Sequence, residues 1–271
     1  MNFLSRKIGM QVNFTAVIPS FNFRDIMEGR ENVYVPGMKY QVLYLLHGGS
    51  GDDQDYVKFS NIVRYAEDNK LAVIMPADYN MMYLDHPGPN GVKYFSYIVD
   101  ELRTLCCSYF PISDKREDNF IGGLSMGTAG TLRAAFTHPE LFSAALVMSG
   151  GFGPNKGLEE NRRQRAGRGA IGASLPAGLT PEEIDLTIPA RKAIESGNPV
   201  PKIFMTWGDE DSLAVDGSRG GVPLLREMGY DVFAEEVPGY KHEWDFWDLS
   251  LRKALYEWLP LKRAAIYPEE V

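Results

Sequence analysis

The sequence predicts an α/β fold, a mostly parallel central sheet of about eight strands flanked by helices. Three observations predict it. Short, continuous apolar runs recur along the chain, such as Val42-Leu43-Tyr44-Leu45-Leu46 and Ala144-Ala145-Leu146-Val147-Met148. Their length suits strands covered on both faces. Between these runs, apolar residues recur at spacings of three and four, the stripe of a packed helix. A strand pattern also runs straight into a helical one through Gly123-Leu124-Ser125-Met126-Gly127. Alternation of strand and helix joins parallel neighbours by right-handed crossovers, and ligands then bind outside the carboxyl ends of the strands.

The elements follow in order. Gln11 to Pro19 reads as a first strand, with a companion near Asn32 to Pro36. Gln41 to Leu46 ends at the turn His47-Gly48-Gly49, and Leu71 to Met75 is stopped by Pro76. Asn119 to Gly122, Ala144 to Met148, Lys202 to Trp207 and Asp231 to Val237 complete the series. Helical faces are marked by Tyr94, Ile98, Leu102, Leu105 and Tyr109; by Met126, Ala129, Leu132 and Phe136; and by Trp244, Trp247, Leu251, Leu255 and Trp258. His138 before Pro139 reads as a helix terminator.

One stretch, 151–200, is longer than a plain crossover and reads as a lid or excursion within a single domain spanning 1–271. Its first twenty residues carry Lys156, Arg162, Arg163, Arg165 and Arg168 against Glu159 and Glu160, a net +3. Thr180-Pro181-Glu182-Glu183 then reads as a helix start: a Thr cap, Pro at the first position and Glu three after the cap.

Composition narrows the function. A net charge of −8 over 271 residues argues against a phosphate-backbone binder, so no nucleic acid is expected. No run approaches a membrane span, and the first residues lack the apolar core of a signal peptide, so the cytoplasm is the expected location. The two cysteines, Cys106 and Cys107, are adjacent and read as small packing residues. Gly167-Arg168-Gly169-Ala170-Ile171-Gly172 fits a dinucleotide pattern but follows an Arg-rich stretch, not a strand. Asp52, Asp53 and Asp55 match no calcium-loop or zinc spacing. No cofactor and no metal are expected.

The residues that could carry chemistry sit at strand ends. Ser125 occupies the centre of the Gly-x-Ser-x-Gly turn, where a strained strand-to-helix elbow exposes its Oγ. A serine at its free pKa needs a base. Of four histidines, His242 lies in the loop between the last strand and the last helix. His47 reads as a shaper of its own loop. The acid belongs at another strand end, where Gly208-Asp209-Glu210-Asp211 offers Asp211 first and Asp209 second. Oxyanion donors are expected from the backbone N–H of Met126 and of Gly49, with Ser50 as the alternative to Gly49. Tyr83, Phe152, Trp207 and Trp244 are expected to contact substrate.

Taken together, Tyr44 to Gly51, Gly122 to Gly127, His138-Pro139-Glu140-Leu141-Phe142, Ser149-Gly150, Gly208 to Asp211 and Gly239 to Trp244 resemble one group of α/β-hydrolases. It is the esterase branch that includes esterase D, S-formylglutathione hydrolases, tributyrin esterases, mycolyltransferase antigens, and acetylxylan and feruloyl esterases. The tributyrin-esterase-like members look nearest. The resemblance implies Ser125 as nucleophile, Asp211 as acid and His242 as base. It implies a serine esterase acting on short-chain acyl esters, with acetyl or feruloyl esters of plant carbohydrates as natural substrates. Thioester hydrolysis of the S-formylglutathione type, acyl transfer and a binding protein with a dead site are the alternatives. The implied partner is a small-molecule or oligosaccharide ester; association of copies is left open. One departure stands out: Thr128 occupies a position where this branch has a further glycine, which predicts a narrowed pocket or a shifted helix.

Overall fold

The computed structural model describes residues 1–29, 34–154, 175–176 and 178–268. Eight strands form one sheet: β1 (Asn2–Leu4), β2 (Gln11–Val17), β3 (Gln41–Leu46), β4 (Leu71–Pro76), β5 (Asn119–Leu124), β6 (Ala144–Met148), β7 (Lys202–Gly208) and β8 (Val232–Val237). Their spatial order is β1-β2-β4-β3-β5-β6-β7-β8. From β4 through β8 the neighbours are parallel, while β1 and β2 attach antiparallel at one edge. β3 pairs with β5, Leu46 opposite Gly123, and β5 pairs with β6, Leu124 opposite Met148. The carboxyl ends of β3, β5, β6 and β7 therefore come to one rim.

The continuous apolar runs have the expected cause. Along β3, Val42, Tyr44 and Leu46 enter one core while Leu43 and Leu45 enter the other, on the opposite face. β2 instead alternates, with Val12 and Phe14 buried between exposed Gln11 and Asn13, as suits a strand near an edge.

Three differences from the sequence reading have physical reasons. Among the described residues of the expected companion strand at Asn32 to Pro36, Tyr34, Val35 and Pro36 are outside any strand; residues 32 and 33 lie outside the described residues. On its side away from β4, β2 pairs instead with β1, three residues whose short pattern carries no period to read. In the helix running from Tyr94 to Tyr109, Tyr94, Ile98 and Leu102 are buried as expected, but Tyr109 is 71% exposed. A π turn at Tyr97–Leu102 adds residues per turn and advances the inward face, so Cys106 is fully buried while Leu105 packs on the same core only partly buried. The Arg-rich part of the excursion and the dinucleotide-like glycines fall outside the described residues. Beyond them, Thr180 caps Pro181–Ile184 in a reciprocal capping box with Glu183. Among the described residues, no helix is long and apolar enough to cross a membrane.

Candidate active site

The turn after β5 is built from clashes that only glycine avoids. Ser125 adopts φ 50° and ψ −114°, a left-handed conformation costly for a side-chain-bearing residue. A Cβ at Gly127 would stand 2.3 Å from the Leu46 carbonyl oxygen and 2.8 Å from that of His47. One at Gly123 would stand 2.6 Å from the Gly127 backbone. The helix Met126–Thr137 can thus start directly against the end of β3. Hydrogen bonds hold the elbow: the Ser125 N–H donates to the Met148 carbonyl at 3.0 Å, and Thr128 Oγ1 donates to the Ser125 carbonyl at 2.6 Å.

The Thr128 side chain fills the space beside Gly150. A Cβ at Gly150 would approach Thr128 Oγ1 to 2.2 Å. The extra bulk on the helix is matched by an absent side chain after β6.

Three side chains from three loops meet at this rim. His242 Nε2 lies 2.8 Å from Ser125 Oγ, and His242 Nδ1 lies 2.9 Å from Asp211 Oδ2. Asp211 is fully buried and also accepts the backbone N–H of Leu213 and Ala214, each at 3.1 Å. Burial works against its charge, yet hydrogen bonds from His242 and the Leu213 N–H outweigh burial and hold its carboxyl below the usual aspartate range. Asp209, in contrast, is exposed and accepts the Gly239 N–H at 2.7 Å, closing the turn. The carboxylate on His242 is therefore that of Asp211.

The loop after β3 abuts the serine. A Cβ at Gly48 would come within 3.4 Å of Ser125 Cβ. The Ser50 N–H is engaged by Asn80 Oδ1 at 2.6 Å, whereas the Gly49 N–H has no partner among the described residues. Met126 opens its helix, so its N–H has no intrahelical acceptor. His47 is buried, and burial lowers its pKa. Its Nδ1 lies 2.7 Å from the Gly48 carbonyl, and its Nε2 accepts the Asp78 N–H at 2.9 Å. These partners require a neutral ring with the proton on Nδ1, a strut between two loops.

Of the four aromatic residues expected at the substrate, three lie in the core. Tyr83 has no exposed surface and donates its phenol to the His47 carbonyl at 3.0 Å, bracing the loop from beneath. Phe152 packs on Phe136, and Trp207 donates its indole N–H to Glu236 at 2.7 Å; both rings are nearly covered. Their apolar character served packing, as large rings usually do. Trp244 remains half-exposed beside His242, against Tyr56, Phe59 and Trp247. Exposed apolar side chains on the flanking segments are instead Tyr79 and Leu213. Asn80, Ser149 and Trp247 also belong to the surroundings of the site; Ser149 lies in one of the segments that carry the resemblance and Trp247 on the predicted face of the last helix, but neither pattern marks them as site residues.

Asp78 behind this loop offers a test of the electrostatics. It is fully buried; Oδ1 accepts the Tyr83 N–H at 3.1 Å, and Oδ2 has no partner among the described residues. Burial pushes its carboxyl up to about 8. The folded protein then holds a proton that the unfolded chain releases near pH 4, so stability falls as pH rises between those values. Asp78→Asn keeps the acceptor and removes the ionisation. Thermal unfolding is expected to show the variant gaining on the wild type at pH 8 relative to pH 5. An advantage independent of pH would refute the assignment.

A serine on a strained elbow, a histidine on its Oγ and a buried carboxylate on that histidine, at the carboxyl end of a parallel sheet, define a serine hydrolase of the α/β-hydrolase fold. The family described as "Putative esterase" matches residues 31–214, more than half of the chain, and the chain belongs to it. An acetyl esterase from Caldicellulosiruptor saccharolyticus is 30% identical over 267 residues, covering 96% of both chains. The fluorophosphonate-binding serine hydrolase F of Staphylococcus aureus is 28% identical, with a TM-score of 0.78 and 96% of each chain covered. An S-formylglutathione hydrolase from the same organism is also 28% identical, with a TM-score of 0.75, covering 96% of this chain and 97% of its own. The protein is a serine ester hydrolase.

Proposed function

We propose that the protein hydrolyses short-chain acyl esters through an acyl-enzyme on Ser125. The observation that carries this reading is the 2.8 Å contact between His242 Nε2 and Ser125 Oγ. His242 takes the Ser125 proton as Oγ attacks the ester carbonyl, and Asp211 stabilises the imidazolium that forms. The N–H groups of Met126 and Gly49 stabilise the tetrahedral oxyanion; the engagement of Ser50 by Asn80 supports Gly49 over Ser50. The intermediate collapses as His242 passes the proton to the departing alcohol. Water, activated by His242, then attacks the acyl-enzyme and releases the acid and free Ser125.

Acetyl to butyryl esters are the proposed acyl range, with acetyl or feruloyl esters of plant carbohydrates as natural substrates. The acetyl esterase relative supports the short acyl group. The Staphylococcus aureus S-formylglutathione hydrolase supports a second reading, a thioesterase. A panel of p-nitrophenyl esters, acetylated xylo-oligosaccharides, methyl ferulate and S-formylglutathione separates them by kcat/KM. The highest value is expected on a short oxygen ester; a highest value on S-formylglutathione would favour the thioesterase.

The acid is tested in the same assay. Asp211→Asn is expected to lower kcat by roughly 10^4-fold, since the wrong imidazole tautomer is then held toward Ser125. Asp209→Asn, altering an exposed turn, is expected to stay within about threefold of wild type. The reverse order would identify Asp209 as the acid.

A further inference from the structure

Gly49, the proposed oxyanion donor, is the residue type least able to hold its own N–H in place. Glycine explores backbone conformations that a side chain forbids. Crowding does not fix it here either: its φ is not positive, and a Cβ would meet only Asn80 Oδ1, at 4.0 Å. Its conformation is therefore set from outside, through the two peptide groups that flank it.

The first joins Gly48 to Gly49. Its carbonyl accepts the His47 Nδ1 proton at 2.7 Å and the Gly51 N–H at 3.3 Å. In a trans peptide the carbonyl and the N–H point opposite ways, so holding the Gly48 carbonyl aims the Gly49 N–H. The second joins Gly49 to Ser50, and its N–H donates to Asn80 Oδ1 at 2.6 Å. A backbone N–H can only donate, which fixes the amide atom facing it as the oxygen. With both planes held, the φ and ψ of Gly49 are held too.

The backbone around Asn80 adds a second reason to regard it as placed. Tyr79, Asn80, Met82 and Tyr83 adopt φ of 50°, 64°, 61° and 51°, left-handed values uncommon outside glycine. Such a run persists only where its surroundings impose it. The imposing contacts lead to the same loop. Tyr83 donates its phenol to the His47 carbonyl at 3.0 Å and its N–H to Asp78 Oδ1 at 3.1 Å. The Asp78 N–H in turn donates to His47 Nε2 at 2.9 Å. Ser50 has φ 63°, so the Asn80 contact joins two left-handed residues.

We propose that Asn80 is a positioning residue: by holding the Ser50 N–H it keeps the Gly49 N–H aimed at the oxyanion. The inference rests on the reading of Gly49 as an oxyanion donor to an acyl-enzyme reaction on Ser125. Without the amide, the peptide between Gly49 and Ser50 turns more freely. The donor must then be oriented during the reaction, and the loss falls on the transition state rather than on substrate binding.

The test is a double-mutant cycle on Asn80→Gly and Gly49→Ala, read in p-nitrophenyl acetate hydrolysis. Glycine at position 80 keeps the left-handed backbone and removes the acceptor. Alanine at position 49 stiffens the backbone that Asn80 otherwise holds, and the 4.0 Å approach leaves room for its methyl group. Activity is counted per serine titrated with a fluorophosphonate, so misfolded protein does not enter. Asn80→Gly is expected to lower kcat about tenfold with KM within about twofold of wild type. A trifluoromethyl ketone forms a tetrahedral adduct on the serine with its oxygen in the oxyanion position. Its binding is expected to weaken by the same factor. In the Gly49→Ala background, Asn80→Gly is expected to cost only about threefold, whatever Gly49→Ala itself costs. Wild-type kcat in Asn80→Gly would overturn the proposal. So would a change confined to KM, the mark of a substrate contact, or an equal loss in both backgrounds. Ser125→Ala run alongside keeps the two readings apart: turnover surviving there defeats the esterase mechanism itself, whatever the Asn80 result.

Discussion

Ser125→Ala is expected to reduce hydrolysis of p-nitrophenyl acetate by about 10^4-fold or more while leaving the fold unchanged. The reason is local. Ser125 Oγ makes its hydrogen bond to His242, but the turn is maintained by backbone groups: the Ser125 N–H on the Met148 carbonyl, and Thr128 on the Ser125 carbonyl. Removing one oxygen takes away the nucleophile and leaves those contacts in place. Steady-state kinetics with circular dichroism on the same preparation checks both halves. A variant that is folded and retains even a tenth of the activity would mean that the acyl group never passes through Ser125.

Gly127→Ala is expected to be damaging by a different route. The added Cβ would meet the Leu46 carbonyl oxygen at 2.3 Å and that of His47 at 2.8 Å, both backbone atoms of the strand end and loop that carry the proposed oxyanion donor Gly49. Neither can yield as a flexible side chain would. The helix Met126–Thr137 must back away, which separates the Met126 N–H from the Gly49 loop. Overpacking of this kind costs about 3 kcal/mol, a fall in Tm of roughly 10 °C for a chain this size. Activity is expected to fall further than the folded fraction does. Gly220, inside the helix Val215–Met228, provides the contrast, because a Cβ there meets nothing within 4 Å. Gly220→Ala is expected to be neutral or slightly stabilising through helix propensity. Equal melting of the two variants would show that the Gly127 contact does not constrain the elbow.

Gly123 and Gly127, the glycines that flank Ser125, also illustrate what the sequence made legible. Gly-x-Ser-x-Gly between a strand pattern and a helix pattern announces its geometry, because no other residue fits those approaches. The parallel core was equally readable: buried strands need apolar residues on both faces, and β3, β4 and β6 are continuous runs. The strand-end loops carrying His242 and the Gly208 to Asp211 cluster followed from the alternation of elements. The sequence ranked Asp211 before Asp209; the exposure of one and burial of the other, set by how the turn folds back on Tyr240, are legible only in three dimensions.

What stayed hidden has a common cause. β1 is three residues long and pairs only because β2 offers it an edge. The π turn at Tyr97–Leu102 changes the helical phase without any glycine or proline to mark it. Tyr83, Phe152 and Trp207 follow or end strands just as a cleft residue would, and only three-dimensional packing turns them inward. Ser149 and Trp247 are 98 residues apart and meet where the end of β6 faces the last helix, a contact that no local pattern encodes. Asn80 reaches Ser50 over 30 residues in the same way.

The central claim is that Ser125 is the residue acylated by an ester. Its most direct test is intact-protein and peptide mass spectrometry after treatment with a fluorophosphonate, a reagent that phosphonylates activated serine hydroxyls. One adduct per chain is expected, located on the peptide bearing Ser125 and absent when Ser125 is replaced by alanine. A stoichiometric adduct on any other residue, or none on a preparation that hydrolyses p-nitrophenyl acetate, would contradict the account.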